Sequence, residues 1–263
     1  MPELLSQRQE DVLILTFNRP EKRNALSTEM LQLFEEAIAR AEEDSQLRAV
    51  ILTGAGDKSF SAGFDLGLLF EHLASNPNGE RIRSVQRRLQ NLICRLEELE
   101  KPTIAAIEGA CVGGGLEVAL GCDLRVSSTA AKFGFPEVKI GMLPDLGGTT
   151  RLPRILGPTH AKEWILTGRQ YSAQRAFELG LLNELTAPGQ AQTRALALAK
   201  ELASCAPLAV AWAKRVIDRG LQMPLRDSLE LEQDAMTELL PSADLKEGIL
   251  AFMEKRAPRF AKR

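Results

Sequence analysis

The sequence predicts an α/β layer architecture followed by a helical C-terminal region, and three observations carry that prediction. Short continuous apolar runs alternate with stretches of helical periodicity through the first two-thirds of the chain. Small-residue and glycine-rich turns join the runs to the helices, most plainly at 109–115 (GACVGGG). After about Leu185 the apolar runs stop and only helical patterns remain.

Residues 12–17 (VLILTF) have the composition of a buried strand, stopped by Asn18-Arg19-Pro20. Ser27 is placed to cap a helix, because Met30, Leu31, Phe34, Ala37, Ile38 and Ala41 recur behind it at helical spacing. Residues 49–53 (AVILT) form a second apolar strand. Residues 54–63 read as a loop, 65–73 as a short apolar segment and 75–79 (SNPNG) as a surface break. Ile82, Val85, Leu89, Leu92, Ile93 and Leu96 then mark a long amphipathic helix. A third strand, 103–107, follows Pro102. The glycine run next opens a helix carrying Leu116, Val118, Ala119 and Leu120, and 124–127 and 132–135 read as further strands. Residues 191–204, 207–219, 225–239 and 242–255 all read as helices. The expected division is a core over 1–190 holding the active site and a helical oligomerisation region over 191–263. A helical region of that size buries little apolar surface alone. It is expected to pack on its own core, on a neighbouring subunit, or on both.

Composition excludes several classes. With 263 residues, 44% hydrophobic and 26% charged, the chain can build a core without disulfides or metals. Thirty-three Lys and Arg against 35 Asp and Glu leave a net charge of -2, so the basic footprint of a nucleic-acid binder is absent. Two histidines (His72, His160) and four cysteines (Cys94, Cys111, Cys122, Cys205) show no metal-ligand spacing. No metal site is expected, and the cysteines read as buried thiols of a reducing compartment. No apolar run approaches the ~20 residues of a membrane span. The first ten residues lack a signal-peptide pattern. A cytoplasmic location and no membrane partner are the expectation.

Motifs narrow the chemistry. Residues 54–59 (GAGDKS) follow a strand as a nucleotide loop would, but Ser59 stands where G-x-G-x-x-G requires glycine. That segment reads as a surface turn. Gly113-Gly114-Gly115 lies between a strand and a helix. Unshielded amides at such a place favour negative charge and can hold a developing oxyanion; close chain packing is the other reason for glycine there. Glu117 sits on the first turn of the otherwise apolar helix and is expected to be partly buried, which raises a carboxyl's pKa. Glu137 follows Phe133, Phe135 and Pro136, and Asp145 lies in a small-residue stretch, GMLPDLGG. With so few histidines, carboxylates must do any general acid–base work. No G-x-S-x-G elbow exists. Cys111 reads as a packed thiol and the two histidines as structural or surface residues.

Taken together, these segments resemble the crotonase, or enoyl-CoA hydratase/isomerase, family. The resemblance runs through Asn18-Arg19-Pro20, Asn24-Ala25-Leu26, Ser61-Ala62-Gly63-Phe64-Asp65-Leu66, Lys101-Pro102-Thr103-Ile104-Ala105-Ala106, Gly113-Gly114-Gly115-Leu116-Glu117, Pro136-Glu137, Gly147-Gly148-Thr149 and Arg151-Leu152-Pro153. It ends in Glu247-Gly248, Ala251-Phe252 and Glu254-Lys255-Arg256. It implies a spiral of ββα units followed by a helical trimerisation region, in a homotrimer or dimer of trimers. It implies an acyl-CoA thioester substrate and no separate cofactor, coenzyme A being part of the substrate. The amides of Phe64 and Gly114 would hold the thioester oxygen. Arg23, Ala25, Ala62, Asp65, Leu66 and Gly113 match positions around the bound substrate. Glu117 and Glu137 match the two hydratase carboxylates, implying addition of water to a trans-2-enoyl-CoA. Asp145 departs from many hydratases and resembles enoyl- and dienoyl-CoA isomerases, where an acid works opposite the Glu137 position. A catalytically silent acyl-CoA-binding relative is a third reading.

Overall fold

The computed structural model describes residues 1–75 and 80–261, without the side chains of 72–75 and 80–82. The surface break expected at 75–79 therefore falls mostly outside the described residues, as do the side chains of His72 and Ile82. The strands are β1 (Leu4–Gln9), β2 (Val12–Phe17), β3 (Ala49–Gly54), β4 (Ser59–Ser61), β5 (Thr103–Ile107), β6 (Ala110–Val112), β7 (Leu124–Ser128), β8 (Lys132–Gly134), β9 (Gln170–Ser172) and β10 (Glu184–Thr186). The helices are α1 (Thr28–Glu43), α2 (Leu66–Ser75), α3 (Glu80–Glu98), α4 (Gly114–Leu120), α5 (Gly148–Thr167), α6 (Ala173–Glu178), α7 (Ala191–Ala203), α8 (Pro207–Gly220), α9 (Leu225–Leu239) and α10 (Ala243–Met253).

Two sheets organise the chain. The larger has the order β1-β2-β3-β5-β7-β10 and the smaller β4-β6-β8-β9. Only β1 and β9 run antiparallel to their neighbours. Each of the pairs β3–β4, β5–β6 and β7–β8 gives its first strand to the large sheet and its second to the small one. Helices α2 and α3, α4, and α5 follow the three pairs in turn. This repetition of strand, strand, helix is the expected spiral.

The large sheet is buried on both faces, which is why its strands read as continuous apolar runs rather than as alternation. On one face Phe17 meets Phe34 of α1 and Phe60 of β4 edge to face, with ring centroids 5.7 and 5.5 Å apart. On the other, Val12, Ile14, Ile51, Ile104 and Val126 pack against Ala195 and Ala199 of α7. Helix α7 thus closes the main sheet, and packing does not divide at residue 190 as the sequence suggests. The helices that stand off the core are α8, α9 and α10, whose buried side chains number only Ala211, Ala235, Asp244 and Ala251. Lys214 of α8 ties them to the core through Asp123 at 2.9 Å. Ile217, Leu221, Leu225, Leu240 and Phe252 are exposed on this helical face.

Other differences have local causes. Strand β1 escapes an apolar-pattern reading because only Leu4 of its six residues is buried; its backbone pairing with β2 holds it. Strands β4, β9 and β10 are three residues each, too short for a period to register. The segment at 65–73 is helical, as α2. Helix α5 is two helices joined at Gly157, whose φ of 74° lies outside helical space, with Pro153 and Pro158 on either side. The cysteines divide: Cys111 and Cys122 are buried thiols, but Cys94 and Cys205 are exposed, contrary to the expectation of burial. No single described helix is long and apolar enough to cross a membrane.

Candidate active site

The site forms where consecutive turns of the spiral present their strand ends. From the first turn comes 62–65. Its backbone lies along 23–26: the Ala62 amide donates to the Arg23 carbonyl at 3.0 Å, Leu26 to Gly63 at 2.8 Å and Asp65 to Leu26 at 3.1 Å. Arg23 holds a left-handed φ of 55°. Ala25 is buried, Ala62 exposed, and Leu66 exposed at the start of α2. Asp65 does not offer a free charge to a ligand. Its carboxylate pairs with Arg19 at 3.1 Å and accepts from the Gly67 amide at 3.1 Å, and these partners hold its pKa below the usual aspartate value against the opposing effect of burial.

From the second turn comes the glycine run. Gly113 has a φ of 57° and Gly63 a φ of 89°, both glycine conformations. The absence of a Cβ at Gly63 lets the chains touch, since one there would lie 2.7 Å from the Gly114 nitrogen. A Cβ at Gly115 would lie 2.4 Å from the Ser61 carbonyl oxygen. Close packing, one of the two purposes weighed from sequence, is thus met. Gly115 permits close packing, while the Phe64 and Gly114 amides sit side by side and neither donates to another group among the described residues. Neighbouring free amides are the kind of donor that holds an oxygen as it gains negative charge.

Glu117, on α4, is 2% exposed. Its Oε1 accepts from the amides of Leu146 at 2.8 Å and Gly148 at 2.7 Å. Glycine is needed at 148, where a Cβ would lie 2.7 Å from Pro144 Cβ and 3.0 Å from that same Oε1. The far end of α4 is fixed by buried Arg125, which donates to the carbonyls of Cys122 at 2.6 Å, Leu181 at 2.7 Å and Ala119 at 3.3 Å. Burial pushes the Glu117 carboxyl up to about 8; the negative charges of Glu137 and Asp145 add to this, and the two amides oppose it.

From the third turn comes Glu137, in a short 3-10 segment after β8. It is half-buried, and its Oε1 reaches within 3.0 Å of where a Gly113 Cβ would stand. Its Oε2 is shielded from solvent and has no hydrogen-bond partner. Burial and the charge of Asp145 raise it to about 7. Asp145 adjoins the Leu146 amide that holds Glu117. Gln86 of α3 donates to its carboxylate, and Gln90 to its carbonyl at 2.5 Å. Burial raises Asp145 too, with Gln86 pulling the other way. Arg151 braces the same loop, donating to the Leu146 carbonyl at 3.3 Å while paired with Glu97 at 2.6 Å.

Three carboxyls with raised pKa values gathered near two free amides describe a site for acid–base chemistry on a carbonyl compound. The family model for enoyl-CoA hydratase/isomerase matches residues 7–263, and the chain belongs to this crotonase family. YngF of Bacillus subtilis, whose name gives enoyl-CoA hydratase/isomerase, is 42% identical over 96% of this chain and 95% of its own. The short-chain-enoyl-CoA hydratase of Clostridium acetobutylicum is 38% identical over 96% of this chain and 95% of its own. The crystal structure of an enoyl-CoA hydratase from Bacillus anthracis superposes with a TM-score of 0.94 at 35% identity, covering 99% of this chain and 100% of that one.

The structure brings Glu117, Glu137, Asp145, Gly113, Gly114 and Phe64 together, with Arg23, Ala25, Ala62, Asp65 and Leu66 along one rim. Sequence reasoning missed Gln86 and Gln90. Their four-residue spacing on α3, which gives them one face of the helix, was the available signal.

Proposed function

We propose that the protein is an enoyl-CoA hydratase, adding water across the α,β double bond of a trans-2-enoyl-CoA to give a 3-hydroxyacyl-CoA. One observation carries this reading: buried Glu117 and half-buried Glu137, both with raised pKa values, share one site with two free amides. The Phe64 and Gly114 amides accept the thioester oxygen and polarise the conjugated system, making Cβ electrophilic. Glu117 orients water and takes its proton as the oxygen bonds to Cβ. The π electrons move toward Cα, where they capture a proton from Glu137. The carboxyl pair begins and ends with one proton, so no outside acid or base is consumed. Interacting carboxyls titrate as a unit, and the single-proton state is the one populated between their two steps.

Arg23, Ala25, Ala62, Leu66 and Gly113 line the path of the CoA portion, with α2 and α3 supplying the acyl wall. Asp65 keeps its place in that rim through its ion pair with Arg19 rather than by charge to the ligand. Coenzyme A arrives as part of the substrate, and the chemistry calls for no metal or redox cofactor. The exposed apolar face of α8, α9 and α10 suits a homotrimer or a dimer of trimers, and the cytoplasm is the expected compartment. Turnover on a panel of 2-enoyl-, 3-enoyl- and dienoyl-CoA esters tests the reading. Hydration of 2-enoyl esters, lost on Glu117→Gln or Glu137→Gln, supports it. A protein that only shifts double bonds, failing on loss of Asp145 or Glu137 but tolerating Glu117→Gln, is an isomerase instead. Binding of CoA esters without any turnover would identify a silent relative.

A further inference from the structure

We propose that Asp145 acts on the hydratase site as a fixed negative charge, clamped by Gln86 and Gln90 of α3, that keeps a proton on the Glu117–Glu137 pair without exchanging one itself. The inference rests on the hydratase reading for the role of that pair, but not for the electrostatics.

The geometry is that of a held anion. Gln86 donates to the Asp145 carboxylate and Gln90 to its carbonyl, so two side chains of α3 fix both the loop and the acid on it. Against the larger effect of burial, which raises its pKa, Asp145 has its Oδ2 held by a neutral donor that favours the charged form. One residue further on, the Leu146 amide binds Glu117 at 2.8 Å, so the charge is delivered next to the acid it influences. The same charge adds to burial, the larger cause, in raising both glutamates.

The charged groups around this centre do not cancel it. Arg151 of α5 touches the loop at the Leu146 carbonyl but is neutralised by Glu97 of α3 and also donates to Cys94 at 3.5 Å. Lys139, after Glu137, is exposed, and its chain lies within about 3 Å of where a Gly168 Cβ would stand. Among the described residues, the α3 groups that donate to Asp145 are the neutral amides of Gln86 and Gln90, with Arg83 and Arg87 exposed on the same helix, and the nearby acid of α4 is Glu117 itself. Among the described residues the charged side chains that act on Glu117 are Glu137 and Asp145, and the one that acts on Glu137 is Asp145, all of them negative.

The test reads the pair directly. In protein labelled with 13C at the side-chain carboxyls, Glu117 and Glu137 are assigned from their Gln variants and titrated with and without Asp145→Asn. Both titrations are expected to move to lower pH by on the order of one unit. The bell-shaped profile of kcat/KM for 2-enoyl-CoA hydration should move with them, its peak falling less than tenfold. Asp145→Glu, which retains the charge, should return the profile toward its original place. Should Asp145→Asn not fold, Gln86→Leu takes over: Asp145 should titrate higher and the lower glutamate step should fall. Glutamate titrations that stay where they were in a folded Asp145→Asn variant overturn the proposal, as does a Gln86→Leu protein with an unaltered Asp145 titration. A wild-type protein that hydrates no enoyl-CoA, yet shows the displaced titrations, would overturn the hydratase reading and leave the charge role standing.

Discussion

At the residue scale, Glu117 makes stability and activity pull in opposite directions. Its carboxyl titrates at about 8 in the folded chain against about 4.3 for an unfolded glutamate. The folded state therefore binds more protons between those values. This stabilising contribution is fully present below about 4.3 and is lost as pH rises toward 8. Glu117→Gln keeps the oxygen that accepts from Leu146 and Gly148 but cannot ionise. Calorimetry at pH 5 and pH 8 should show the variant gaining thermal stability relative to wild type at the higher pH, while hydration falls by roughly 10² or more. A variant less stable at pH 8 than at pH 5, relative to wild type, would contradict the burial account. The two amides separate differently. Gly114→Pro removes a donor at the first position of α4, where proline suits the helix, and should cost on the order of 10² in turnover. Phe64→Ala keeps its amide and should be much milder.

At the scale of elements, legibility followed the length of the pattern. Strands β2, β3 and β5 and helix α1, with its Ser27 cap accepting from Met30 at 3.1 Å, were readable because each repeats a signal over several residues. Of the three-residue strands only β8 was read, within 132–135; β4 was not, although it leads directly into the 62–65 loop. The acids were conspicuous because each interrupts an apolar or small-residue context. Gln86 and Gln90 were not, since a neutral amide on an amphipathic helix breaks no pattern. Helix α5 gives a test of local strain. Gly157 has a φ of 74° and a ψ of 162°, and nothing stands within 4 Å of a Cβ placed there. Gly157→Ala should therefore cost about 1–3 kcal/mol from the backbone alone. Denaturant titration should register that loss with kcat/KM unchanged.

At the scale of the whole molecule, α7 shows why a change of composition is a poor guide to a boundary. Its alanines face the sheet, so it reads as part of a helical tail while packing as part of the core. The remaining helices behave otherwise. If α8, α9 and α10 complete an oligomer, truncation at about Pro207 should yield a chain that aggregates or unfolds, as light scattering would reveal. Ile217→Asp together with Phe252→Asp, on exposed positions of that face, should lower the sedimentation mass toward that of one chain. A truncated chain that stays monomeric, soluble and active would refute the assembly. The spiral also has a hereditary consequence. Its first turn contributes Phe64, its second Gly114 and Glu117, and its third Glu137 and Asp145. On the proposed function, oxygen binding falls to the first and second turns and proton transfer to the second and third, so the second turn serves both. A substitution confined to the third turn can therefore replace an acid while both of the proposed oxygen-binding amides are inherited unchanged.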